Sequence, residues 1–317
     1  MPSPLSTVVV IGTGGTIAGT ASRPQDLTEY TAGALTAQAL IDAVPALAGQ
    51  ALQAESLSQL DSCDMDHATW VRLAKSVQRH LARADVAGVV ITHGTDTLEE
   101  TALFLHLTVQ AHKPVVLTAA MRPATAPSPD GPQNLVDALS VVRHAGARGV
   151  LAVMGGVVHA AGDVRKLHGY RVDAFSSGDA GPVALLQDGQ LRLFRAWPGI
   201  DAVRADALEM DPATWPVVDI VTSHAGARGA TLDALVASGA RGIVIAGTGN
   251  GSVHAQLLLA ARRAQAQGVR VLRASRCICG GVVGAPADAL PSAGELTPAQ
   301  ARVSLLLDLL AGRRCDG

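Results

Sequence analysis

The chain has 317 residues, 48% of them apolar and 16% charged, and a formal net charge of −2 at pH 7. That apolar content excludes intrinsic disorder. The near-balanced charge offers no basic excess for nucleic acid or a membrane surface, and no apolar run reaches the roughly 20 residues of a membrane-spanning helix.

Short β-branched runs recur along the first half: Val8-Val9-Val10-Ile11, Gly88-Val89-Val90-Ile91-Thr92, Val115-Val116-Leu117-Thr118 and Gly149-Val150-Leu151-Ala152-Val153. They are continuous and bounded by turns, as expected of parallel strands covered on both faces. Helical patterns fall between them at 34–43, 67–83, 97–110 and 132–144. From about 156 to 200 the rhythm weakens into short segments and Gly pairs, and a stretch with three Pro and two Trp, Arg195 to Pro216, reads as a linker. The α/β rhythm then restarts, with strands predicted at Val217–Thr222, Gly242–Ala246 and Val269–Arg273 and helices at 231–238, 252–267 and 298–311. The expected fold is α/β: a larger N-terminal domain (1–195) with a mainly parallel sheet, a linker (196–216) and a smaller C-terminal α/β domain (217–317).

Two scarcities direct attention to single residues. Of 25 basic residues 22 are Arg and only 3 are Lys, namely Lys75, Lys113 and Lys166; Tyr occurs only as Tyr30 and Tyr170. A lysine amine can lose its proton inside a site, whereas a guanidinium effectively cannot. Four Cys (Cys63, Cys277, Cys279, Cys315) make no disulfide framework, and C-x-C without a second Cys/His pair is a poor zinc signal. Reduced thiols in a cytoplasmic protein are the expectation, and the N-terminus, lacking a basic region and a long apolar run, carries no visible signal peptide.

Four segments have the makings of chemistry. Gly12-Thr13-Gly14-Gly15-Thr16-Ile17-Ala18-Gly19 follows the first strand, where open α/β sheets place their sites. It is a weak dinucleotide loop, since the third Gly of G-x-G-x-x-G would fall at Ile17; Thr13 and Thr16 are either turn residues or hydroxyls beneath a flexible loop at 20–33. Thr92-His93-Gly94-Thr95-Asp96-Thr97-Leu98-Glu99-Glu100-Thr101 sits at another strand exit. Asp96-x-x-Glu99 and Thr97-x-x-Glu100 resemble capping boxes, but the polar side chains outnumber what a cap requires, and the helix N–H groups that follow suit an oxyanion. Ala119-Ala120-Met121-Arg122-Pro123 leaves a third strand, and Ala161-Gly162-Asp163-Val164-Arg165-Lys166-Leu167 carries one of the rare lysines.

Together these segments resemble the bacterial-type L-asparaginase/glutaminase family over nearly the whole chain. Thr13-Gly-Gly-Thr16-Ile-Ala-Gly and Thr92-His-Gly-Thr95-Asp96-Thr97-Leu-Glu-Glu-Thr101 are similar to its two signatures, and Ala120-Met-Arg-Pro123, Ser128-Pro-Asp130-Gly-Pro132-x-Asn134-Leu, Gly247-Thr-Gly249-Asn250-Gly251 and Ala274-Ser275-Arg276 to further blocks in order. The resemblance implies hydrolysis of the side-chain amide of L-asparagine, with glutamine as a second substrate and no metal or organic cofactor. It makes Thr16 the nucleophile, Tyr30 the lid residue that contacts and helps activate it, and Thr95, Lys166 and Asp96 a hydroxyl–amine–carboxylate relay. Asp96 also matches the holder of the substrate α-ammonium, Ser62 a ligand of its α-carboxylate, and Asn250 a polar residue that a neighbouring subunit contributes near the pocket; Ala120 lines the same cleft. The family assembles as homotetramers, dimers of dimers with shared sites.

Two positions depart from the family. Cys63 stands where Gln is usual, and where a Glu often reaches the substrate ammonium the chain has Ala287, or Asp288 with a one-residue shift. Both touch the grip on the α-amino acid and leave the relay intact. Two other readings follow: a glutaminase-type homologue feeding ammonia to a partner, disfavoured because Thr7 already opens the first strand, and an idle amino-acid binder, which would have no need of two hydroxyls and a rare Lys.

Overall fold

A computed structural model describes residues 6–200, 204–284 and 289–312. The chain forms two compact units, Met1–Val203 and Arg204–Gly317.

The first unit runs β1 (Thr7–Gly14), α1 (Ala37–Asp42), β2 (Leu52–Leu60), α2 (His67–Leu81), β3 (Val86–Thr92), α3 (Leu98–Thr108), β4 (Val115–Thr118), α4 (Gly131–Arg143), β5 (Val150–Met154), β6 (Val157–Ala160), β7 (Arg165–Lys166), β8 (Phe175–Ser176), β9 (Ala184–Gln187) and β10 (Gln190–Leu193). Eight of these strands form one sheet in the order β10-β9-β6-β5-β4-β3-β1-β2. The neighbours from β2 through β5 are parallel, and β6, β9 and β10 add an antiparallel flank. Strands β1, β3 and β4 are the expected apolar runs, and nearly all their residues are buried because helices cover both faces. On one face Val8, Val10, Val90, Val116, Leu151 and Val153 pack with Leu135, Leu139 and Val142 of α4. Helices α2 and α3 meet through Trp70, which stacks on Phe104 at 4.9 Å and donates its indole N–H to Thr101 Oγ1 at 2.9 Å.

Two parts of this unit differ from the sequence expectation. Strand β2 has no counterpart among the predicted elements: it is the sheet edge, half-buried along most of its length, so its polar residues (Gln53, Glu55, Ser56, Ser58, Gln59) dilute the apolar signal. The weak stretch after 156 is not shapeless but contains β6 to β10. The β9–β10 hairpin turns on Asp188-Gly189, both at positive φ (51° and 71°), the backbone that a two-residue hairpin loop demands.

The second unit runs β11 (Val218–Thr222), α5 (Ala230–Ala237), β12 (Gly242–Gly247), α6 (Ala255–Ala266), β13 (Arg270–Ser275) and α7 (Pro298–Leu310), with a parallel sheet β11-β12-β13. Ile243, Ile245 and Val271 pack under α5 and α6, while Leu305 and Leu309 of α7 meet the opposite face at Gly242. Helix α7 starts with a complete capping box between Thr297 and Gln300. Short 3-10 turns at Ala205–Glu209 and Pro212–Thr214 precede β11, with Ala207, Leu208 and Trp215 buried.

In the first unit the strand order reverses beside β1: β2 lies on one side and β3 on the other. Chain crossovers leave in opposite directions there, opening a crevice at the carboxyl ends of β1 and β3. Both Thr-rich segments exit into that crevice.

Candidate active site

Strand β1 ends in Gly14 and Gly15, which hold positive φ (113° and 77°) and bring the chain hard against its neighbours. A Cβ on Gly14 would lie 2.2 Å from Leu60 O, and one on Gly15 2.3 Å from Gly94 Cα. The exits of β1 and β3 therefore touch backbone to backbone. Gly15→Ala is expected to be far worse than Gly49→Ala, because Gly49 has a similar φ of 75° but nothing within 4 Å of its missing Cβ. Positive φ disfavours a side chain at both positions, and Gly15, with ψ −175°, lies in a region that is essentially glycine-only; the clash is extra. Melting curves check this, and equal losses for the two variants would refute the backbone contact.

The turn delivers Thr16 at the start of a 3-10 helix, 8% exposed, with its Oγ1 2.7 Å from the Tyr30 hydroxyl. Tyr30 belongs to the 20–33 loop, which the Thr20–Thr31 backbone pair closes and which Ala21 N ties to Thr125 Oγ1 and Gly33 N to Gly15 O. Gly19 lies under the Tyr30 ring, where a Cβ would come within 2.8 Å of Cδ2. The neighbouring Thr13 is occupied otherwise: its hydroxyl donates to Thr92 O at 3.0 Å, a bond that joins β1 to β3.

At the end of β3, His93 is fully buried with Nδ1 2.7 Å from Gly94 O. A carbonyl only accepts, so Nδ1 carries the proton. Burial lowers the His93 pKa to about 4, which keeps the ring neutral near pH 7. Thr95 follows, 6% exposed, and then Asp96, whose side chain is half-exposed. Lys166 Nζ donates to Thr95 Oγ1 at 2.9 Å and to Asp96 Oδ1 at 2.5 Å, making a continuous chain from carboxylate through amine to hydroxyl. Lys166 comes from β7, which among the described residues pairs with β8 alone, in a two-stranded ribbon outside the main sheet.

The capping reading of this segment is corrected. Thr97 occupies the cap position of α3 but makes no side-chain cap bond. Its hydroxyl donates instead to Ser62 O at 2.8 Å, and the Glu99 carboxylate accepts the Lys166 backbone N–H at 2.8 Å. Ser62, 1% exposed, accepts the Asp96 N–H on Oγ at 3.1 Å, so its own hydroxyl proton is available to a ligand. Cys63 is exposed next to it. Partial desolvation and the negative charges of Asp61, Asp64 and Asp96 push its thiol above the ordinary value of 9.0, so it stands as a neutral thiol near pH 7.

The third strand exit is held by Asp130 and Asn134, whose motif alone assigns them no task. Asp130 accepts the N–H groups of Met121 and Arg122 at 2.9 and 3.0 Å, and Asn134 donates to Ala119 O at 2.9 Å while accepting from Gly155 N. Ala120 is buried in a small cluster with Ile17, Ala18 and Leu40. Asn250 belongs to the second unit, in the turn after β12. Both atoms of its amide are engaged there, Nδ2 to Val283 O and Oδ1 from Val283 N, each at 2.7 Å. Ala287 and Asp288 lie outside the described residues. No group of three or more His, Cys, Asp or Glu side chains poised to hold a metal occurs among the described residues.

The family model described as "Asparaginase, N-terminal" matches residues 7–198, and that described as "Glutaminase/Asparaginase C-terminal domain" matches 217–316. The chain belongs to the asparaginase family. Among asparaginases it is 37% identical to L-asparaginase 2 of Bacillus subtilis, over 96% of this chain and 83% of that one. It is also 37% identical to the probable periplasmic L-asparaginase of Haemophilus influenzae, over 96% and 89%. The crystal structure of the probable cytoplasmic L-asparaginase from Campylobacter jejuni superposes with a TM-score of 0.90 at 37% identity, covering 96% of this chain and 95% of that one. The asparaginase resemblance and the expected two-part α/β fold are both borne out.

Proposed function

We propose that this chain hydrolyses the side-chain amide of L-asparagine to L-aspartate and ammonia, with glutamine as a slower second substrate. Its place in the asparaginase family makes it a hydrolase of amide bonds. The observation that carries the mechanism is a pair of buried hydroxyls at one strand switch point, each with its own proton partner: Thr16 with Tyr30, and Thr95 with Lys166 and Asp96.

A threonine hydroxyl becomes a competent nucleophile when a neighbour takes its proton. In this reading the Tyr30 hydroxyl takes the Thr16 proton as Thr16 Oγ1 attacks the amide carbon, and hands its own phenolic proton on to the departing nitrogen. The C–N bond then breaks, the nitrogen leaves as ammonia with a proton gained from the site, and an ester to Thr16 remains. Water, with its proton accepted through the Thr95–Lys166–Asp96 chain, cleaves that ester and regenerates the Thr16 hydroxyl. In this reading N–H groups at the start of α3 stabilise the developing oxyanion, apart from that of Asp96, which donates to Ser62 Oγ. Ser62 donates to the substrate α-carboxylate, Asp96 accepts from its α-ammonium, and Ala120 contributes main-chain surface. No metal or organic cofactor takes part. Ammonia release from L-Asn, D-Asn, L-Gln and β-aspartyl amides tests the reading: L-Asn is expected to be fastest, and no release from any of them overturns it.

Cys63 weakens the grip on the α-amino group, since a neutral thiol replaces an amide that both donates and accepts. Cys63→Gln is expected to lower the asparagine KM by about tenfold, the equivalent of one hydrogen bond to a charged group. A KM within twofold of the parent's would remove Cys63 from substrate recognition.

The same reading makes residues 1–195 the catalytic domain, 196–216 a linker and 217–317 the smaller domain, in a homotetramer built as a dimer of dimers to which Asn250 contributes across subunits. Sedimentation at four times the chain mass tests the assembly. Cys63, Cys277 and Cys279 are exposed free thiols that suit a reducing cytoplasm, and cell fractionation tests that location.

A further inference from the structure

Lys166 must place one nitrogen within hydrogen-bond reach of two acceptors, yet it rides on a two-residue strand outside the main sheet. An isolated two-stranded ribbon is marginal by itself. The loop beyond it, from Leu167 to Asp173, is exposed at Leu167, Tyr170 and Val172 and gives no core to lean on. The tie at Lys166 itself comes from elsewhere. The Glu99 carboxylate, in the first turn of α3, accepts the Lys166 main-chain N–H at 2.8 Å. Thr95 and Asp96 lie immediately before that same helix, and Asp96 is pinned through its own N–H to Ser62.

We infer that Glu99 is a positioning residue for the reaction: it fixes the Lys166 backbone to the helix that follows Thr95 and Asp96, so that amine and both acceptors move as one body. The inference rests on the relay reading of Lys166. What the glutamate supplies is reach, an accepting oxygen carried far enough to meet the Lys166 N–H, and loss of register of about 1 Å at a reacting group costs on the order of a hundredfold in rate. The ordinary first-turn role of a glutamate, stabilising the helix dipole, would use its charge but not its reach.

Two substitutions separate reach from charge. Glu99→Gln keeps the length and an accepting oxygen without the charge. Glu99→Asp keeps the charge and falls one methylene short. Glu99→Gln is expected to retain most of kcat, and Glu99→Asp to lose about ten- to a hundredfold with KM within about twofold and an unchanged melting temperature. Because the chain has only three lysines, labelling the full-length protein with [15N]lysine gives three backbone amide signals, assigned through Lys75→Arg and Lys113→Arg. The Lys166 amide is expected downfield in the parent, near that position in Glu99→Gln, and shifted upfield in Glu99→Asp.

An Asp variant with parental kcat, a Gln variant as impaired as Asp, or a Lys166 amide that does not move in Asp would each overturn the inference. A parent that released no ammonia from any amide would defeat the proposed function instead, and the amide signal would still report whether Glu99 anchors Lys166.

Discussion

Thr16→Ala is expected to reduce ammonia release from L-asparagine by on the order of 10⁴-fold or more, the scale seen when a catalytic nucleophile is removed. The fold should tolerate it. Thr16 sits at the start of a 3-10 turn, its position is set by Gly14 and Gly15, and its hydroxyl has Tyr30 as its hydrogen-bond partner. Aspartate should therefore still bind, which calorimetry can measure. Thr16→Ser keeps the nucleophile and should keep a measurable fraction of the rate. Acid quench of the working parent, followed by peptide mass spectrometry, should find an acyl adduct on the peptide bearing Thr16 and none in Thr16→Ala. The second hydroxyl makes the informative comparison. Thr95→Val preserves the buried shape and removes the oxygen that Lys166 touches, so it should slow turnover without abolishing covalent attack. If Thr16→Ala turned over at the parent rate while Thr95→Val did not, the nucleophile would have to be reassigned to Thr95.

What is legible in the amino-acid sequence follows from burial. Strands β1, β3 and β4 are covered on both faces, so they read as unbroken apolar runs whose positions the residue pattern reveals directly. The residues directly following β1 and β3 can then be assigned to a site because open α/β sheets put their clefts there. The edge strand β2 obeys another rule. It spends half its surface on polar residues, and Glu55 serves a side-chain network with Ser76, Arg79 and His80 instead of a core. The antiparallel flank carries one usable sign, the Asp188-Gly189 pair between Leu185-Leu186 and Leu191, which is the composition of a tight hairpin. Within the site, Thr16, Thr95, Asp96 and Lys166 are marked by motif and scarcity. Glu99 and Thr97 are not, because a Glu or Thr in a first helical turn is explained in advance as a cap. Only three-dimensional proximity to residues 67 and 35 positions away gives them different work. Asp130 and Asn134 show the same limit: each acts through main-chain groups that no spacing rule connects to it.

Lys166→Arg is the sharper of the two large predictions, because it keeps the charge and changes almost everything else that matters for proton transfer. Lys166 offers one compact nitrogen to Thr95 Oγ1 and Asp96 Oδ1 at once. A guanidinium spreads its donors over a planar fork, is longer, and does not give up a proton in a protein. If Lys166 were present only to neutralise Asp96, whose side chain is 54% exposed, Arg would do nearly as well, since partly solvated ion pairs are worth little and tolerate exchange. If it passes protons to and from the Thr95 hydroxyl, Arg should lower kcat by about 10²–10⁴-fold, the usual contribution of a general acid–base group. KM should change far less, because the proposed reading gives the substrate α-groups to Ser62 and Asp96. The chain's own composition supplies the controls. Lys75 lies on the exposed face of α2, and Lys113 donates to Arg83 O just before Pro114. Arg at either position should leave turnover as it was. A Lys166→Arg protein with kcat within threefold of the parent would reduce the relay to an ion pair and leave Tyr30 as the remaining proton acceptor for Thr16.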